Sequence, residues 1–324
     1  MNNQKAVAVL ILGLVASLIQ GCTKVSSPLS PSANLFDPAA SVAPRYSTQW
    51  GGIGAGDGQF YSPRAVAVDA AGDIYVTDPG NGRVQKFTNQ GDYLTKWGTF
   101  GSGNGNFMMA WGIATSGSFG VVVSDDTLNR VARFDANGTR LDQWGYLGTG
   151  AGQFVNCRGM AMDHSGNVYV VDSGNNRIQK FDSTGAYLTR WGSFGTGDGK
   201  FNNPQAVAVD ASGNIYVLDS GNSRVQKFTS PNVFAAKWGS NGSQDGQFDT
   251  PYGIAVDHAG YVYVADSGNH RVQKFTPGGT YLTQFGSYGH GDGQFANPYG
   301  LAVDASGAVY VADTDNSRVQ KFVP

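Results

Sequence analysis

The chain repeats itself every 47 residues, six times over, with no insertion or deletion between copies. Phe60, Phe107, Phe154, Phe201, Phe248 and Phe295 keep that step. So do Asp78, Asp125, Asp172, Asp219, Asp266 and Asp313, and Arg83, Arg130, Arg177, Arg224, Arg271 and Arg318. A repeat of this length is one supersecondary unit that buries its apolar face only against its neighbours, which restricts the chain to propellers and solenoids. With 47 glycines and 14% charged residues, the composition fits a turn-rich all-β body rather than a helical one. A formal net charge of −2 supplies no field that would draw the protein to nucleic acid.

The fifth copy shows the unit. Short apolar runs at Tyr252–Asp257, Tyr261–Asp266, Arg271–Phe275 and Tyr281–Gly286 are separated by turns rich in Gly, Asn, Ser and Pro. Four such runs predict the four strands of a propeller blade. The first two runs are apolar at nearly every position, as expected of strands covered on both faces by stacked blades. Trp50, Trp97, Trp144, Trp191, Trp238 and Phe285 are expected to fill the outer gaps between blades. The last copy stops at Val323-Pro324 after its third run, and Arg45–Gly51 matches the missing fourth. The expected fold is therefore an all-β, six-bladed propeller over 45–324, closed by an N-terminal strand that completes the last blade. Closure removes exposed sheet edges.

Within each copy, a phrase such as that of Ile215–Phe228 (IYVLDSGNSRVQKF) resembles the NHL repeat of six-bladed propellers, and all six copies carry it. The resemblance implies the fold. It leaves function open, because NHL propellers serve as enzymes, RNA binders, interaction modules and extracellular sensors.

Ahead of the repeats, Met1–Lys5 carries one positive charge and Ala6–Ile19 is an uncharged, mostly aliphatic run, which reads as a secretory signal over residues 1–21. It ends in Leu18-Ile19-Gln20-Gly21-Cys22, which resembles the lipobox of bacterial lipoproteins and implies lipid attachment at Cys22. Two or more acyl chains would anchor the protein stably. Residues 22–44, rich in Ser, Pro and Ala, are expected to be a flexible tether. The expected address is the cell envelope, on the outer membrane or the outer face of the cytoplasmic membrane, and the expected state is a monomer.

Candidate chemistry is sparse. An Asp–Arg pair repeated in every blade points to scaffold. Loops such as Gly54–Gly58 offer at most one carboxylate each, too few for calcium. Their glycines precede no helix that would bind phosphate. Of the four histidines, His164 and His258 fall on the face opposite the usual ligand side, and His270 and His290 lie in loops. No three convergent zinc ligands and no Ser/His/carboxylate triad are visible. Cys157 replaces a proline found at that position in other copies and is expected to be a buried apolar substitute. No catalytic residue, cofactor or metal ligand is expected, and the constant repeat length argues against the loop insertions that build propeller active sites. What varies is the residue before each innermost strand: Arg64, Trp111, Arg158, Gln205, Tyr252 and Tyr299. These six are expected to ring the channel mouth and bind a ligand, since arginine and aromatic residues anchor interfaces. The expected partner is an envelope protein, a peptide, a glycan or a small anionic ligand. The alternative reading is a metal-dependent lyase or hydrolase, resembling amidating-lyase or lactonase propellers.

Overall fold

The structure, a computed structural model, describes residues 38–324. The expected signal segment, Cys22 and residues 22–37 of the expected tether lie outside the described residues. Six four-stranded antiparallel sheets make up the body. In the first blade Val66–Val68 is innermost, followed by Ile74–Asp78, Arg83–Phe87 and Tyr93–Trp97. Each innermost strand lies against that of the next blade, and Pro298–Val303 of the sixth meets Val66–Val68 of the first, which closes the ring. Arg45–Gly51 pairs antiparallel with Arg318–Val323, with Tyr46 opposite Phe322 and Trp50 opposite Val319. The expected closure is the observed one. The packed body begins upstream of Arg45, because Pro38–Ser41 forms a short 3₁₀ turn with Ala40 buried, and Ala43 packs on the core.

Second strands such as Ile74–Asp78 and Val262–Asp266 are buried along their whole length, since adjacent blades cover both of their faces. Trp50 lies 5.9 Å from Phe87 of the first blade and 6.3 Å from Tyr310 of the sixth, filling the gap between them. The turn glycine Gly91 closes over this indole. Its φ is +92°, and a Cβ there would stand 2.7 Å from the Trp50 ring, so both backbone and space demand glycine.

The repeated Asp–Arg pair is a tie between blade and linker. Arg83 donates through Nε to Asp78 (2.8 Å), and through Nη1 and Nη2 to the carbonyls of Ala55, Gly56 and Gln59. Arg177, Arg224, Arg271 and Arg318 pair with their aspartates at 2.6–2.7 Å, all buried. The second blade is the exception. Arg130 still donates to Ser102, Gly103 and Asn106, but its Nε finds no partner. Asp125 accepts backbone N–H groups of Met108, Met109 and Leu128 instead.

Candidate functional site

The six variable residues converge on one mouth of the central channel because the backbone beneath them is pinned blade to blade. Gly300 N–H donates to the Arg64 carbonyl (2.7 Å) and Gly159 N–H to that of Gln205 (3.0 Å). The hydroxyls of Thr77 and Ser124 donate to the carbonyls of Trp111 and Arg158. In each case the donor comes from the preceding blade. One residue further along, inner strands approach so closely that a Cβ on Gly253 would sit 2.1 Å from the Tyr299 carbonyl, and one on Gly300 2.5 Å from that of Arg64. This waist of small residues fixes the main chain and leaves the side chains above it free to differ.

Those side chains form a continuous series of contacts. Tyr252 stacks on Tyr299 (4.0 Å between centroids, 8° between planes). The Arg64 guanidinium lies 4.8 Å from the Tyr299 ring and 3.9 Å from the Trp111 ring, and that of Arg158 lies 4.5 Å from Trp111. Arg158 donates to Asp126 (3.1 Å) and to Gln205 Oε1 (2.7 Å). Gln205 is itself buried and also bonds Asn203, so among the ring positions it braces Arg158 rather than facing outward. Burial pushes the Tyr299 hydroxyl up to about 12, against the opposing charge of Arg64. Beneath the ring is a cavity of about 90 Å³ lined by Arg64, Trp111, Tyr252 and Tyr299. That is far below the roughly 300–1,000 Å³ of a pocket enclosing a drug-sized molecule.

Sequence reasoning missed Asp126 and Asn203, which supply the polar partners of Arg158. The doubled Asp125-Asp126, unique to the second copy, was the available signal for the first of them. It also missed an outer circle on the same face. Ile53, Phe100, Leu147, Phe194 and Tyr288 occupy one repeated linker position and are 58–72% exposed. Asn81, in the turn on that face, holds the linker by donating to Gly54. Apolar residues of this kind read as core in a sequence, and only burial separates the two.

Among the described residues no group of three or more His, Cys, Asp or Glu side chains converges. His270 accepts the Asn297 N–H and His290 bonds Asn316, both as braces of linkers. Cys157 is fully buried, its thiol bonded to the Asp125 and Arg130 carbonyls, and burial holds it well above the ordinary thiol range.

The NHL-repeat model matches residues 60–87, 154–181, 201–228, 248–275 and 295–322. Five of the six blades are NHL repeats. The motif was expected in all six copies, and the second is where that expectation fails. It has Leu128 and Ala132 where the first NHL repeat has Asn81 and Gln85, and so lacks two of the side chains that bond the buried aspartate there. No curated protein matches the sequence. Solved structures share the NHL propeller's fold. A structural-genomics protein of unknown function from Bacteroides thetaiotaomicron is 21% identical, with a TM-score of 0.65 over 85% of this chain and 76% of that one. A gluconolactonase from Xanthomonas campestris is 14% identical, with a TM-score of 0.60 over 86% and 96%. Virginiamycin B lyase from Staphylococcus aureus is 12% identical, with a TM-score of 0.56 over 81% and 95%. At these identities the likeness is one of fold alone.

Proposed function

We propose that this NHL propeller is an envelope-anchored binding module whose channel-mouth face receives a partner: an envelope protein, a peptide, a glycan or a small anionic ligand. Export and anchoring rest on the leader Met1–Ile19 and on the lipobox-like segment Leu18–Cys22, whose cysteine would carry the lipid. Binding rests on one observation: the scaffold repeats, while the side chains it delivers to the mouth differ from blade to blade and are rich in Arg, Trp and Tyr. Such residues anchor interfaces. The test is to immobilise the full chain in detergent and challenge it with an envelope extract. A specific partner should be retained by the wild type and bind at least about tenfold more weakly to Trp111→Ala/Tyr299→Ala, at unchanged melting temperature. Equal retention by both forms would overturn the reading.

A further inference from the structure

The two mouth arginines look equivalent in the sequence and are not equivalent in the structure. Arg158 is paired: its Nε meets Asp126, its Nη1 meets Gln205, and Asp126 neutralises its charge. Arg64 is not engaged in this way. Its Nε and Nη1 are shielded from solvent and have no hydrogen-bond partner, and among the described residues it forms no salt bridge. Its guanidinium rests in the corner between the Trp111 and Tyr299 rings, which meet at 66°. Ring faces attract a cation, but they do not satisfy the in-plane N–H groups. The side chain as a whole is half-buried, yet these two N–H groups are closed to water, and a guanidinium cannot escape their cost by losing its proton.

The group that would complete this arrangement is an oxyanion. Carboxylate and phosphate oxygens accept paired N–H groups from guanidinium in a bidentate fashion, supplying a counter-charge and the hydrogen bonds that Arg64 Nε and Nη1 lack. The 90 Å³ cavity that Arg64 lines admits such a group and little more, and because Nε and Nη1 are closed to solvent the guanidinium must turn towards it to donate from them. We propose that the mouth binds a single carboxylate or phosphate group, either a small free anion or the terminus of a longer ligand lying across the face, and that Arg64 grips it. In this assignment Trp111 and Tyr299 flank the guanidinium, and Arg158 is a positioning residue that supports Trp111 from its other contact. The proposal rests on reading the mouth as a binding surface and narrows that reading to one chemistry.

The probes are sodium acetate, inorganic phosphate and neutral acetamide, titrated into the ¹⁵N-labelled full chain in detergent. The readout is the Trp111 indole N–H resonance, assigned by its loss in Trp111→Phe. Saturable shifts are expected with acetate, phosphate or both, and which of them saturates at lower concentration identifies the anion class. Acetamide should give none. Arg64→Met, which keeps the aliphatic bulk, should weaken binding at least tenfold, and Arg64→Lys should weaken it less. Arg64→Met is read only at unchanged melting temperature, and Arg64→Lys serves if it fails to fold. Absence of a saturable shift with either anion would overturn the proposal, as would acetamide matching acetate or both Arg64 variants binding like the wild type. If the envelope partner still depends on Trp111 and Tyr299 in that event, the anion assignment fails while the binding surface stands.

Discussion

Arg177 and Arg130 hold the same place in their repeats and face different consequences if lost. Arg177 neutralises the buried Asp172 at 2.6 Å and also donates to three linker carbonyls. Arg130 makes the carbonyl bonds without the Nε bond to a carboxylate. Arg177→Met should therefore cost about 3–5 kcal/mol, the usual penalty for orphaning a buried charge. Arg130→Met should cost less by about 1–3 kcal/mol, because Asp125 keeps its three backbone donors. Urea unfolding of the two variants checks this, and equal losses would show that the carboxylate contact contributes nothing. The positions of these residues were legible because repetition exposes them. The bonding was not. Asp126 and Arg158 lie 32 residues apart, and Arg158 and Gln205 47 apart, on different blades. Closure of the ring brings them together, and no local pattern announces it.

Strands were legible where turns are sharp. The αL positions after the second strand, such as Gly82, Asn176 and His270, end a single 3₁₀ turn and force a reversal. Less legible were the lengths of the innermost strands, which run from Val66–Val68 to Ala110–Ser116. Those lengths depend on how closely neighbouring blades approach. The closing strand makes the sharpest prediction at this level. A chain lacking Arg45–Gly51 leaves the edge of Arg318–Val323 unpaired and uncovers Phe322 and Val319. Such an edge recruits other strands, so this chain should elute as oligomers or aggregate, and should melt at a lower temperature. Size-exclusion chromatography with a thermal scan measures both effects. A monomer of unchanged stability would mean that the sixth blade closes without its fourth strand.

At the scale of the whole molecule, blade number and closure followed from the count of repeats and the split last copy, whereas the exposed apolar circle did not follow from either. The repeat also spreads one acid–base network around the far face. Tyr75, Tyr169, Tyr216, Tyr263 and Tyr310 each donate a hydroxyl to an aspartate of the first turn. Burial holds all five above the ordinary phenol range, Tyr75 at about 12. Unfolded tyrosine ionises near pH 10, so the unfolded chain gives up these protons first. From neutral pH, stability should stay level to about pH 10 and fall as pH rises from there towards 12. Thermal melts across that range, with tyrosinate absorbance followed in parallel, test it; a melting temperature indifferent to alkali would contradict it. The closing strand has one further consequence. It runs from the far face, where Arg45 meets Val323, to the mouth face, where Gly51 meets Arg318. A pull applied through the N-terminus against a load held at the mouth acts along this strand's axis. It strains all the ladder bonds at once in shear, instead of peeling them singly, so the ring is closed by the element best oriented to carry tension.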